Sequence, residues 1–373
     1  MLDALGLTHA GMEDIAAQEL QQLVHAKTTE HPESVSFQAN AEQLLQATYQ
    51  SQSLRSMLLV LTSCKATDYA AAIQTCALTE WLPPSATFVV VCDKDDDALS
   101  SQTIAAEIGE IIQNKTQATV DFKHPSVIFS LFIRQGKAWF GIDIAGFDLS
   151  RRSYRVFLGT NSLKGNIAYS LVQLAGYTTK KSLLDPFCRH GIIPIEAALM
   201  VCHVSPHYFS KEQFAFRRLV PFVSLNLPVL FAQWDAQNNF DAPTTLIAMD
   251  DNFKFVQASK KNAQIAGVVK NIQFSRKQLE WLDLKFGEKN IDCIVSYPLQ
   301  LSQRNATQFT KVINEFFYQA EYILSEKGRV VLIARQGKEL VLTAAKTHHF
   351  ACIAERIIWQ GKEALPVLIF ERC

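Results

Sequence analysis

Apolar residues recur at helical spacing early in the chain. Over residues 11–24, Ile15, Leu20 and Leu23 share one side and Glu13, Gln18 and Gln22 the other, which predicts an amphipathic helix. Val35–Phe37 reads as a short strand, and residues 41–61 begin helically before passing into Met57-Leu-Leu-Val-Leu61, a buried-strand composition. A helix is expected over Asp68–Cys76. After the breaker Pro83-Pro84, Thr87-Phe-Val-Val-Val91 reads as a strand and Ser101–Gln113 as a helix. Val127–Arg134 and Ala138–Ile144 predict a hairpin around Gln135-Gly136-Lys137. Strands and helices mixed in this order imply an α+β region, as one piece or as two small subdomains.

The pattern then changes. Asp148–Arg155 is a polar connection rich in arginine (Arg151, Arg152, Arg155), which places a domain boundary between residues 1–150 and 151–373. Beyond it, strands over Ser182–Asp185, Thr245–Met249, Cys293–Ser296 and Val330–Ile333 alternate with helices near 163–175, 191–201, 253–266 and 307–323. Short apolar strands in repeated βα units imply a mostly parallel sheet covered on both faces, an α/β domain. Ser205–Thr244 interrupts the alternation with aromatic and proline residues. It is expected either as an insertion over the carboxyl edge of that sheet or as a packing loop.

Composition limits the possibilities. The 373 residues suit two or three domains, and 48% hydrophobic with 19% charged residues is a globular balance. No apolar stretch is long enough for a membrane span and no basic leader is visible, so a cytoplasmic protein is expected. The eight cysteines stand singly (Cys64, Cys76, Cys92, Cys188, Cys202, Cys293, Cys352, Cys373), which points to buried thiols in a reducing compartment and to no metal site. The net charge of zero hides an asymmetry. Residues 1–150 carry 8 Lys and Arg against 18 Asp and Glu, a net of −10, and residues 151–373 carry 28 against 18, a net of +10. A polyanion would be drawn to the second part.

Three strand ends carry candidate chemistry, because ligands of such sheets sit beyond the carboxyl ends of the strands, where the topology switches. The first is Leu183-Leu-Asp-Pro-Phe-Cys-Arg-His-Gly-Ile192, an acid-ended strand, a tight turn and a helix start suited to an anionic group. The second is Ile247-Ala-Met-Asp-Asp-Asn252, whose Asp250 is placed to accept ribose hydroxyls. The third is Asp292-Cys-Ile-Val-Ser-Tyr-Pro-Leu-Gln300, a strand running into a proline turn.

These segments resemble the THUMP-domain RNA methyltransferases that make N2-methylguanine in tRNA or rRNA. Asp185, Phe187, Cys188 and Gly191, followed by Ile193-Pro-Ile-Glu-Ala-Ala-Leu199, are similar to the family's glycine-rich cofactor motif. Asp143-Ile-Ala-Gly-Phe-Asp-Leu-Ser-Arg-Arg-Ser-Tyr-Arg155 is similar to its domain junction. Leu163-Lys164, Phe214-Ala-Phe216, Asn262-Ala263 with Ala266-Gly267, Gly11-Met-Glu-Asp14 and Ser101-Gln102 extend the likeness over nearly the whole chain. The resemblance implies a ferredoxin-like and THUMP region followed by a Rossmann-fold domain that uses S-adenosylmethionine. It also implies a cofactor set of Asp185, Phe187, Cys188, Gly191, Glu196, Asp250 and Gln278, and structured RNA as partner through Arg151, Arg152 and Arg155.

The departures fall on the working positions. The family's C-G-S-G-T is here Cys188-Arg-His-Gly-Ile192, with Arg189 where a glycine lets backbone and cofactor come close. Gln278 stands where the family carries an acid. The family's N-P-P-Y loop, which aims the target amine and stacks the extruded base, is here Tyr297-Pro298-Leu299-Gln300. Tyr297 and Pro298 are the catalytic candidates of this altered loop. Three readings follow: an active guanine-N2 methyltransferase, a catalytically degenerate relative that binds RNA or a partner protein, or an α/β enzyme of unrelated chemistry reusing the pocket.

Overall fold

The computed structural model describes residues 1–83, 85–95, 100–159, 162–298, 300–302 and 306–373. Pro84 of the predicted breaker and Leu299 of the altered loop lie outside them. The chain forms two compact units, one of Met1–Thr8, Ala16–Leu149 and Ser210–Ala236, the other of His9–Ile15, Ser150–Phe209 and Gln237–Cys373.

The first unit is built on one eight-stranded sheet. Its strands are β1 (Leu2–Leu7), β2 (Thr28–His31), β3 (Ser34–Ala39), β4 (Ser56–Lys65), β5 (Thr87–Lys94), β6 (Thr119–Val120), β7 (Val127–Arg134) and β8 (Lys137–Asp143). They lie in the order β2-β3-β1-β4-β8-β7-β5-β6. The join between halves is β4 against β8, antiparallel from Leu58↔Asp143 to Lys65↔Lys137. That pairing explains why β4 runs beyond the apolar Met57–Leu61, into polar residues whose backbone still finds a partner. The predicted hairpin is β7–β8, closed at Gln135 and Gly136 with φ of 49° and 76°, the positive values that a two-residue hairpin turn needs. Helices α1 (Glu13–Val24), α2 (Ala41–Gln50), α3 (Tyr69–Thr75) and α4 (Ser101–Thr116) accompany the sheet. A reciprocal cap between Asn40 and Gln43 fixes the start of α2 by satisfying backbone donors that a helix end leaves open.

The aromatic interruption packs into this first core. Phe214, Phe216, Phe222, Phe231 and Trp234 are all buried with it, the last two on α7 (Leu227–Trp234). The ring of Tyr49 lies 4.9 Å from Phe231, and its hydroxyl donates to Asp235 at 2.8 Å. Phe216 N–H donates to Ile144 O at 3.0 Å. Of the two expectations for Ser205–Thr244, the packing segment holds for Ser210–Ala236.

The second unit carries a seven-stranded sheet of β9 (Ser182–Asp185), β10 (Thr245–Asp250), β11 (Ile272–Arg276), β12 (Ile291–Ser296), β13 (Leu324–Ile333), β14 (Phe350–Gln360) and β15 (Glu363–Arg372). The order is β11-β10-β9-β12-β13-β15-β14, parallel from β11 to β13 and closed by an antiparallel hairpin. Alternate residues enter different cores: Leu183, Ala248 and Val295 one, Leu184, Ile247 and Ile294 the other. A strand buried on both faces reads as a continuous apolar run, as these do. Helices α5 (Gly165–Leu174), α6 (Ile192–Val201), α8 (Phe253–Ile265), α9 (Leu282–Lys285), α10 (Ala306–Ile323) and α11 (Lys338–Thr347) complete the unit. Residues 9–15 dock on β14: Trp359 N–H donates to Ala10 O at 3.1 Å, and Arg356 pairs with Asp14 at 2.5 Å. Gly11 is required there, since a Cβ would lie 2.1 Å from Ile357 O.

Candidate active site

β9 is flanked by β10 on one side and β12 on the other, so the chain switches direction across the sheet at its carboxyl end. A crevice opens at such a point. Asp185, the last residue of β9, is buried and accepts the Phe187 N–H at 3.2 Å and the Ser296 hydroxyl at 2.5 Å. The second bond ties the ends of β9 and β12 together. Burial pushes its carboxyl up to about 7, and the nearby Asp250 carboxylate adds to the rise.

The turn after β9 is anchored to β10. Cys188 N–H donates to Met249 O at 2.8 Å, and Arg189 N–H to Asp250 Oδ2 at 3.0 Å. Arg189 is left-handed, at φ 46°, and so is Gly191, at φ 77°. Gly191 is needed for packing, because a Cβ would meet Ser259 Oγ of α8 at 2.1 Å. Asp250 Oδ1 accepts Asn252 N–H at 3.0 Å, and burial pushes this second carboxyl up to about 6. The Cys188 thiol is held well above its usual range by burial, so it stays protonated and is no nucleophile.

At the end of β12 the altered loop is internally bonded. The Tyr297 hydroxyl is hydrogen-bonded to Arg335, which pairs with Glu363 at 2.5 Å. Gln300 Nε2 donates to the Pro298 carbonyl at 2.8 Å. The Arg189 guanidinium lies over the Tyr297 ring, 5.7 Å from its centroid.

Two cavities meet at Phe187 and Arg189, which line both. The larger, about 390 Å³, is also lined by Asp250, Gln278, Phe255 and Lys311. The smaller, about 30 Å³, is lined by Asp185, Cys188, His190 and Tyr297. The larger has room for a nucleoside. The smaller has room for about one water.

Five of the seven expected cofactor residues, Asp185, Phe187, Cys188, Asp250 and Gln278, therefore line these cavities. Gly191 and Glu196 do not line them. Gly191 serves the contact with α8. Glu196 is fully buried and accepts Arg152 Nε at 2.8 Å, Arg152 Nη2 at 3.2 Å and the Tyr154 hydroxyl at 2.7 Å. The same pair buries Arg152, whose side chain is 0% exposed. Arg151 is exposed, and Arg155 is half-buried beside Ser162. Ser296, Arg335 and Glu363 escaped the sequence reading, because their partners at the site lie in other elements. Among the described residues no helix is long and apolar enough to cross a membrane, and no group of His, Cys, Asp or Glu could hold a metal ion.

Comparison with known proteins places this geometry. Residues 152–362 match the family model described as RMKL-like, methyltransferase domain, and residues 67–143 match the THUMP domain. The chain belongs to the RMKL-like methyltransferase family. This family member is 27% identical over 278 residues to the tRNA (guanine(6)-N2)-methyltransferase of Methanocaldococcus jannaschii, covering 72% of each chain. It is 24% identical over 311 residues to the ribosomal RNA large subunit methyltransferase K/L of Vibrio parahaemolyticus, covering 79% of itself and 43% of that longer protein. The crystal structure of TrmN from Thermus thermophilus superposes over 100% of both chains with a TM-score of 0.75 at 21% identity, a likeness of fold. The resemblance read from the motifs, and the mixed α/β fold with its mostly parallel second sheet, are borne out. The family's cofactor is S-adenosylmethionine. Asp250 and Gln278 on the wall of the larger cavity fit its adenosyl half, and Arg189 lines the smaller cavity beside them.

Proposed function

We propose that this chain is an RNA-directed methyltransferase-family protein of the cytoplasm, whose cleft holds S-adenosylmethionine beside tRNA or rRNA, with transfer to guanine N2 as the reaction its architecture serves. The observation that carries this reading is the nucleoside-sized cavity at the β9 switch point, with Asp250 on its wall, in a chain that also contains a THUMP domain. Bound S-adenosylmethionine supplies an electrophilic methyl group. Asp250 accepts the ribose hydroxyls, Gln278 offers its amide to the base edge, and Phe187 covers the apolar face. Asp185 is a positioning residue that holds the β12 end through Ser296. Arg151 and Arg155 supply phosphate contacts at the start of the second unit, and the region before residue 151 handles the RNA; no metal takes part.

A specific observation favours the second reading, that transfer is strongly attenuated. The Pro298 carbonyl, a backbone acceptor for the target amine, is already bonded to Gln300, and the Tyr297 ring is buried with its hydroxyl held by Arg335. A misplacement of about 1 Å in such a loop costs on the order of 100-fold. The experiment is transfer of labelled methyl from S-adenosylmethionine to total RNA from cells lacking this protein, alongside calorimetry with the cofactor. Cofactor binding with little incorporation is expected. Stoichiometric incorporation that is lost in Tyr297→Ala would show a working variant loop and overturn the attenuated reading. Absence of both binding and incorporation would overturn the cofactor reading.

A further inference from the structure

Arg189 divides the cleft. Its backbone is tied to β10, the N–H to Asp250 and the preceding Cys188 N–H to Met249. The side chain lines both cavities while its guanidinium sits over Tyr297. Tyr297 is in turn fixed by the Arg335–Glu363 pair. The outcome is an ample nucleoside chamber and, beyond Arg189, a remnant of about 30 Å³. A full amino-acid chain on the ribose 5′ carbon would have to expel the guanidinium from its ring contact. Its sulfonium would also approach the guanidinium, a like-charge contact that the ligand's own α-carboxylate offsets in part, so the lost space is the main penalty.

Resting on the reading of this cleft as an adenosyl site, we propose that Arg189 makes it select an adenine nucleoside with a short, uncharged 5′ substituent over S-adenosylmethionine. Specificity here is a difference of affinities produced by a clash and a like charge against the longer ligand, with the contacts to base and ribose left in common. Arg189 is thus a specificity-determining residue, and the ligand class is the adenine nucleosides and their short 5′-alkylthioethers.

The test is titration calorimetry of the full chain with adenosine, 5′-methylthioadenosine, S-adenosylhomocysteine and S-adenosylmethionine. It is repeated on Arg189→Gly and on Arg189→Asn, both residue types that tolerate the left-handed backbone. The natural chain is expected to bind 5′-methylthioadenosine at least about tenfold tighter than S-adenosylmethionine, the scale of an overpacking penalty. Either variant that keeps the native melting transition should narrow the gap to about threefold or less. S-adenosylmethionine binding the natural chain as tightly as the thioether, or a gap unchanged in a folded variant, would overturn the selection while leaving the adenosyl site intact. Failure of adenosine and 5′-methylthioadenosine alike to bind at millimolar concentration would remove the adenosyl reading itself, and the selection with it.

Discussion

Replacing Glu196 by alanine should unfold the second unit far more readily than any cofactor role would require. The carboxylate is 0% exposed and accepts hydrogen bonds from Arg152 at 2.8 and 3.2 Å and from the Tyr154 hydroxyl at 2.7 Å. Removing it leaves a guanidinium and a phenol buried with their main partner gone. Breaking one side of a buried pair costs about 3–5 kcal/mol, because the surviving charge is desolvated and uncompensated. That is a large part of the roughly 5–15 kcal/mol that holds an ordinary domain together. The pair itself need not stabilise the fold, since replacing both charges by apolar groups of similar size is often neutral. Glu196→Leu combined with Arg152→Met and Tyr154→Phe should therefore recover most of what Glu196→Ala loses. The assay is urea unfolding followed by far-UV circular dichroism on the natural chain, the single variant and the triple variant. A loss under about 1 kcal/mol in Glu196→Ala, the range of an exposed pair, would refute the argument. So would a triple variant no more stable than the single one.

Three further outcomes follow from the same geometry. Asp250→Ala should weaken 5′-methylthioadenosine binding by about 1.5–3 kcal/mol, the worth of hydrogen bonds to a charged group, and calorimetry reads it; an unchanged affinity would remove Asp250 from the ribose. Asp185 has a folded pKa raised to about 7 against about 4 for a free carboxyl, so the folded state holds its proton longer than the unfolded one. Its contribution to stability is therefore best at low pH and is lost as pH rises through about 7. Asp185→Asn should flatten that decline in the urea midpoint between pH 5 and 8, and parallel profiles would count against it. RNA affinity should fall with salt, and Arg151→Gln or Arg155→Gln should each reduce the log–log slope by about 1, whereas Arg152→Gln, judged where it remains folded, should leave the slope alone. A slope that responds to Arg152 instead would reverse the assignment.

The alternation of strands and helices was legible because both faces of the second sheet are buried and its strands are short apolar runs. Less legible were strands whose role depends on neighbours. Leu2–Leu7 looks like an ordinary chain start, yet it lies between β3 and β4 in the first sheet. Phe350–Gln360 mixes exposed apolar and charged residues because it is the edge strand, covered in part by residues 9–15. The aromatic segment 210–236 was recognisable as unusual, but nothing local says that its rings belong to a core formed about 100 residues earlier.

The candidate site divides along the same line. Asp185 and Asp250 could be placed because a strand end fixes where a side chain projects, and Gln278 only through the family likeness. Glu196 and Arg152 match family motifs equally well, and here the match reflects a buried pair, since a motif records that a residue type is needed without saying for what. The replacements at Arg189, Tyr297 and Gln300 were visible as departures, but their consequence was not. Arg189 could have pointed to solvent, Tyr297 could have offered its ring to a base, and Gln300 could have left the loop carbonyl open. Each instead satisfies a neighbour within the second unit: the ring contact with Tyr297, the Arg335 bond, the Pro298 carbonyl. The Pro298 carbonyl then keeps one lone pair for a substrate amine, and the Tyr297 hydroxyl is already engaged by Arg335.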